Sequence, residues 1–388
     1  TMGATRMTAL ASEYGIKSFN HGVEALLDYT EKLTREEIRN IPDGEYEFED
    51  WVDNDGSIEN SKPLKIFVKM IVDNTNIKFD FEGSSPQVKT AINNVPSSAT
   101  SAVMFGIRTL TGDKSPDNEG GFRPLSINFP EGSIVNPTFP APVASRSVSL
   151  RRVVDVILGV LSKALPDRYP AANCGQASVI YCGTIDDNTN QRIVGAIGGP
   201  WMGGMGARPG KDGIDTTDHD ASNVYHVPLE VSEAELPIRF NKMQLWTDSG
   251  GPGKWRGGLG FYSEVEWLRG KATASLRRDR HKFRPWGLAG GYPGPECKTA
   301  LKKKNTVKGK IIPGKSQIEL NEGDILQLWT TGSGGHSDPL ERDEKLVLDD
   351  YLNNKISFSA VKDIYGVVIE ANKVDLDKTK RLRQKLVR

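Results

Sequence analysis

Residues 212–226 read DGIDTTDHDASNVYH, and Asp215, Asp218, His219, Asp220 and His226 within them are oxygen and nitrogen donors close enough in the chain to meet at a divalent metal. The same composition also makes a polar turn in which Asp and Ser side chains cap nearby backbone. A His-x6-His spacing is enforced by neither a helix face nor a strand face, so both readings stand. Immediately upstream, GGPWMGGMGARPGKDG (198–213) places seven glycines and two prolines in sixteen positions. Glycine at that density costs chain entropy on folding and calls for left-handed turns or for close approach to a ligand. A glycine loop offering N–H donors, Arg208 offering a planar cation, then carboxylates and imidazoles, could hold a carbonyl or carboxylate substrate by oxyanion-type contacts.

Other motifs fail their structural tests. GKIIPGKS (309–316) has the letters of a phosphate-binding loop, but that mechanism needs a helix opening at the Lys-Ser, and QIELNEGDILQLW continues with period two instead. No Gly-x-Gly-x-x-Gly sits between a strand and a helix pattern. DWVDNDG (50–56) lacks the twelve-residue spacing and closing Glu of a calcium loop and reads as a hairpin turn. Cys174 in AANCGQAS, with Ser178 nearby, lacks a Gly-x-Ser-x-Gly elbow and reads as a small buried thiol.

The totals exclude several classes. Lys plus Arg and Asp plus Glu both number 50, with no long run of one sign that would mark a nucleic-acid or membrane footprint. LKKKNTVKGK (301–310) reads as a solvated hairpin tip. No apolar run approaches the ~18 residues of a membrane span. Three cysteines without a Cys-x2-Cys argue for reduced thiols in a cytoplasm.

The elements that must position these residues point to an α+β protein, β-rich and mixed. A helical lead-in occupies 1–42, with a helix pair over 12–40. A mixed α+β domain carrying the glycine loop spans 43–234, a β-rich domain 235–338 and a helical tail 339–388. Within the second, YEFEDWV, PLKIFVKMIVDN and NIKFDF alternate as an antiparallel meander. Segments 94–112 and 150–168 are helices, the latter amphipathic with Val153, Ile157, Val160, Leu161 and Leu165 on one side, and 176–197 is a hairpin with a polar tip.

MGARPGKDG, PLEVSEAELPIRF, DSGGPGKWRGGLG, RRDRHKFRPWGLAGG and GSGGHSDP form an ordered series. With DFEGSSPQVKTAINN, NEGGFRPLSI and PEGSIVNP upstream, it resembles the B-type component of the hydantoinase/oxoprolinase family, whose superfamily includes the acetone and acetophenone carboxylases. The resemblance implies a two-component enzyme. An A-type partner with ATP and Mg phosphorylates an amide or enolate oxygen, and the B-type component completes hydrolysis of a cyclic amide or carboxylation of a ketone. It further implies a divalent metal, Zn or Mn, held by an amino-terminal region that has no counterpart here, so that a further polypeptide carrying that region is an expected partner. On this basis Arg208, Asp212 and His219 are the candidate catalytic residues. Gly203, Gly204, Gly206 and Asn223 are the substrate cradle, and no residue is assigned to a metal. Gly250, Gly251, Gly257 and Gly258 are expected to form turns, and His281 and Arg284 to be structural. Two segments depart from the family pattern: VASRSVSLRR (143–152), and DASNVYHVPLE, which retains only Asn223 and Pro228. They leave a ketone carboxylase, or a non-catalytic assembly component, as alternatives to a hydantoinase.

Overall fold

The computed structural model describes residues 1–57, 62–176, 178–185, 189–219 and 221–386. The chain opens with α1 (Met2–Tyr14) and α2 (Ile16–Ile38), separated at Gly15, whose φ of 78° no helix accommodates. The stretch 12–40 read as a helix pair is therefore mostly one helix, α2, with the break near its start at Gly15.

A first sheet has the order β1 (Gly44–Val52), β2 (Leu64–Asp73), β3 (Asn76–Asp80), β4 (Leu125–Asn128). Alternation in LKIFVKMIVD buries Leu64, Ile66, Val68, Met70 and Val72 on one face, as a half-buried strand requires. β1, β2 and β3 pair antiparallel as the expected meander, and β4 adds to β3 in parallel, a pairing that no local pattern signals. Its crossover carries α3 (Pro96–Thr111), which begins on a proline at its first turn and ends at Gly112, φ 58°. Helix α4 (Ser147–Ala164) packs against β1, β2 and α3. It starts earlier than its periodicity suggests and is buried nearly all round, because polar Arg152 and Asp155 are buried as well as Val153, Val154, Ile157 and Leu161. The contact with the sheet is close: a Cβ on Gly159 would stand 2.5 Å from the Phe48 ring.

Two further sheets share one apolar core. One has the order β11 (Lys310–Ile311), β10 (Lys298–Lys302), β13 (Ile325–Trp329), β8 (Phe261–Trp267), β7 (Ile238–Leu245). The other has β12 (Lys315–Asn321), β9 (Lys271–Arg277), β5 (Ser178–Ile185), β6 (Arg192–Trp201). The hairpin expected at 176–197 is β5–β6, extended to Trp201, and its tip at 186–188 lies outside the described residues. Ile180, Ile197 and Trp201 pack with Val265, Trp267 and Leu328 between the sheets, each fully buried large side chain contributing roughly 1.5–3 kcal/mol. Since β5 pairs with β9, this core draws together strands on both sides of residue 235. The short helix α5 (Leu229–Glu235) links β6 to β7.

The tail forms a small third core from α6 (Glu344–Leu352), α7 (Phe358–Asp363), the hairpin β14 (Ile369–Glu370) with β15 (Lys373–Val374), and α8 (Leu376–Leu386). No helix among the described residues is long and apolar enough to cross a membrane.

Candidate active-site cleft

The glycine-rich segments come together as one body of interlocked backbone. A Cβ on Gly204 would lie 1.9 Å from the Gly258 carbonyl oxygen, on Gly258 2.0 Å from that of Ile214, on Gly257 2.3 Å from that of Ser333, and on Gly334 1.9 Å from that of Trp286. Gly203 and Gly206 are as tight, against the carbonyls of Thr331 and Ala171. Hydrogen bonds knit the same strands: Gly204 N–H donates to Thr331 O, Met205 to Ile214, Gly206 to the Asn173 side chain, Ala207 to Gly334 and Gly258 to Met205. Of the expected cradle Gly203, Gly204 and Gly206, the N–H groups of Gly204 and Gly206 are thus taken within the protein, as are those of Met205 and Ala207. Glycine is needed here so that main chains can touch, and Gly250, Gly251, Gly257 and Gly258 serve the same packing.

Of the catalytic candidates the structure brings only His219 to a cleft, which it shares with the cradle candidate Asn223, and leaves Arg208 and Asp212 elsewhere. Arg208 is exposed on a tight reversal closed by two hydrogen bonds with Lys211, with Gly210 at φ 86°. Asp212 accepts both nitrogens of Arg342, at 2.8 and 2.7 Å, and the Arg256 N–H. The cleft, of about 510 Å³, is walled by Met202, Met205, Thr216–His219 and Ser222–His226. Across His219 and Ser222 it adjoins a second chamber of about 410 Å³ between α3 and α4.

His219 is buried between these chambers. Its Nδ1 accepts the Ala221 N–H at 3.3 Å, so the ring proton belongs on Nε2, which faces Asp155 Oδ1 at 3.5 Å. The imidazole therefore ties the 218–226 loop to α4. His226 differs: its Nδ1 lies 2.8 Å from the Val227 carbonyl oxygen and must carry the proton, while Nε2 has no hydrogen-bond partner among the described residues. Burial lowers its pKa from 6.5, which keeps the ring neutral with a free lone pair. The sequence had singled out His226 only as a possible metal ligand.

Behind the cleft, Asp155 joins a buried cluster that no local pattern signals. Arg152 donates to Asp50, Asp155 and Asp279 at 3.1, 2.8 and 3.0 Å, and Arg280 reaches Asp50 and Asp155 at 3.0 and 2.9 Å. Lys315 closes on Asp279. Burial pushes the Asp50 carboxyl up to about 6 against the pull of Arg152. It raises Asp155 too, against the His219 hydrogen bond and Arg152. Arg280 holds a φ of 65°, a conformation few non-glycine residues adopt, which turns its guanidinium into the cluster. His281 and Arg284 follow in that loop: His281 touches the Asp279 carbonyl and the Thr299 hydroxyl, and Arg284 donates to the Gly294 carbonyl.

GKIIPGKS lies across β11 and the start of β12, with Lys315 buried on Asp279, so its lysine faces protein rather than a phosphate. In the 212–226 segment Asp215 is held by Arg256 and Lys355, Asp218 by the backbone of His219 and Val224, and Asp220 lies outside the described residues. Among the described residues no three Asp, Glu, His or Cys side chains gather as a metal site, and these residues do not fit the metal expected of the family. Cys174 is buried, its thiol pushed up to about 12 by desolvation, as a small buried thiol would be.

The fold is a glycine-woven pair of sheets joined through a buried charge cluster to a helix-covered sheet. The Hydantoinase B/oxoprolinase family model matches residues 1–339, and the chain belongs to that family. It is 32% identical over 394 residues to a protein named as the B component of a D-/L-hydantoinase from Pseudomonas sp. (strain NS671), covering 99% of this chain and 66% of that one. The crystal structure of ATP-dependent caprolactamase from Pseudomonas jessenii superposes with a TM-score of 0.85 at 24% identity, over 99% of this chain and 67% of that one. The nucleotide-free structure of acetone carboxylase gives 0.84 at 20% identity, over 98% of this chain and 57% of that one. The chain thus spans about two thirds of the length of the Pseudomonas relative.

Proposed function

We propose that this chain is part of the B-type component of a cytoplasmic, ATP-dependent enzyme that opens a cyclic amide. It acts with an A-type partner that binds ATP and Mg, and with a polypeptide supplying the remaining B-type region and its divalent metal. The observation that carries this reading is the family match over residues 1–339, which takes in every element that walls the cleft. Phosphorylation of the amide oxygen would occur on the partner, and the activated amide would enter the cleft beside Asn223. Water attack on its acyl carbon forms a C–O bond and releases a proton, for which the His226 Nε2 lone pair is the available acceptor. The adduct then breaks its C–N bond, the ring nitrogen taking a proton and leaving as the amine, and a second water hydrolyses the resulting acyl phosphate to carboxylate and inorganic phosphate. His219 and Asp155 act one step back, by holding the 218–226 loop on α4. Arg208 and Asp212 enter as residues at the edge of the same loop system, where contact with the partner chains is the role left to Arg208.

Reconstitution with both partners tests the proposal. ADP release stimulated by hydantoin, 5-oxoproline or caprolactam is the expected result, lost in His226→Gln by about 10²-fold or more as for removal of a general base. Bicarbonate-dependent turnover with acetone instead would establish the carboxylase reading, which the altered segments at 143–152 and 220–230 leave open. Full turnover with His219→Ala, His226→Gln and Arg208→Ala together would leave the chain as an assembly component.

A further inference from the structure

A third, smaller cavity of about 90 Å³ opens beside the first turn of α4, bordered by Ser145, Ser147, Arg151, Gln176, Tyr181 and Arg277. At ~30 Å³ per water it has room for about three waters, the size of one functional group rather than a whole metabolite. Its cations are poorly neutralised. Arg277 has no carboxylate partner among the described residues, and its guanidinium makes one long hydrogen bond, 3.4 Å to the Leu276 carbonyl. Arg151 reaches Asp218 only at 3.6 Å, and its Nε has no acceptor. Burial lowers the Arg151 pKa despite that carboxylate. The positive end of the α4 dipole points the same way. Asp279 also borders the cavity, but Arg152, Lys315 and the Asp53 N–H occupy its oxygens.

Gln176 adds an opposite preference. It is 3% exposed and donates Nε2 to Cys297 Sγ at 2.7 Å, leaving Oε1 without a donor. Its place is set by Gly175, φ 63°, where a Cβ would collide with the guanidinia of Arg280 and Arg152 at 2.8 and 2.9 Å. A buried carbonyl oxygen lacking a partner costs about 1–3 kcal/mol, so a group that donates to it is favoured.

We propose that this cavity binds an oxyanion that carries an N–H donor beside it, as in an N-acylated amino acid. The oxyanion meets Arg151, Arg277 and the serine hydroxyls, and the N–H meets Gln176 Oε1. This site goes beyond the proposed reaction and does not rest on it, since binding needs neither ATP nor a partner chain. Calorimetric titration of the full chain with N-acetylglycine tests it, with N-acetylglycinamide as the uncharged control. Saturable binding is expected, at least about tenfold weaker for the uncharged control and for Arg277→Gln, whose side chain is half-exposed and carries little of the fold. Gln176→Glu, of the same shape, is expected to abolish binding by charge repulsion while circular dichroism confirms a folded chain. Parallel titration with inorganic phosphate separates the two sources: tighter phosphate binding assigns the site to a phosphoryl group, weaker binding to a carboxylate. No saturation by either probe below about 10 mM, or equal affinity in wild type and Arg277→Gln, overturns the proposal.

Discussion

Two buried ion clusters hold this chain together from similar parts, and they balance burial against pairing differently. In the cluster behind the cleft, Asp50, Asp155 and Asp279 face Arg152, Arg280 and Lys315, all of them buried. At the tail, Asp212, Asp215 and Asp350 face Arg256 and Arg342, but the side chains of Asp212 and Asp215 remain 30% and 21% exposed. Burial pushes Asp212 upward, yet the bidentate hydrogen bonds and charge of Arg342 outweigh it and hold the carboxyl below 3.8. For Asp50 burial wins, and the value rises to about 6. Within the dehydrated cluster the balance divides: burial raises Asp50 and Asp155, while Asp279, equally buried, is held low by Lys315 and Arg152. That cluster is held by its surroundings and tolerates no missing member, whereas at the tail pairing wins at both partly hydrated carboxylates.

Removing one cation from each cluster breaks the comparison most directly. Arg152→Met leaves three carboxylates buried around an apolar side chain and is expected to cost about 3–5 kcal/mol, read as a lowered urea midpoint or loss of soluble protein. Arg342→Met leaves Asp212 with water and the Arg256 N–H, so a smaller loss, roughly 2–3 kcal/mol, is expected. Equal losses in the two variants would mean that hydration does not distinguish the clusters.

Acid provides a finer probe. Burial, with Arg278 nearby, lowers the His281 pKa from 6.5 to about 3. The unfolded chain therefore binds a proton that the folded chain refuses. Stability from this group is full above pH 6.5 and falls by about 1.4 kcal/mol per unit of pH below it, down to the folded value. Asp50 acts in the opposite sense: its raised value favours the folded state below 3.8 and that contribution is lost as pH rises through about 6. Urea midpoints of wild type and His281→Asn between pH 7 and pH 5 should converge as pH falls. Parallel curves would remove His281 as the acid-sensitive group. The smallest effect belongs to Arg208→Ala, at an exposed turn outside both clusters, where thermal stability should change by less than about 0.5 kcal/mol.

The legible parts of the fold are those whose signal is local. Period-two alternation in 64–73 and 261–267 and the proline start of α3 mark real elements because each reports burial along its own few residues. The parallel β3–β4 pair and the all-round burial of α4 escaped, since both depend on what the chain does after a long crossover. At the site, the segment 212–226 was noticed for its side chains, and it does wall the cleft, but which imidazole keeps a lone pair depends on two backbone contacts. Arg151, Ser145, Ser147 and Gln176 carried no recognisable spacing, being drawn from a helix start and a distant loop.

Pattern along the chain gave an α+β reading, and its ordered glycine-rich blocks carried the resemblance to the hydantoinase B/oxoprolinase family that the match over residues 1–339 bears out. Pattern also determined that GKIIPGKS would not be a phosphate loop, because strand periodicity follows it. Only the tertiary structure decided what those glycines do and which charges meet: Arg280 finds Asp50 across 230 residues, and the N–H groups of 204–207 find carbonyls or side-chain oxygens from separate loops. Such partners are chosen by the geometry of packing in a dehydrated interior, where a charge or an N–H must be matched, and sequence spacing holds no measure of that distance.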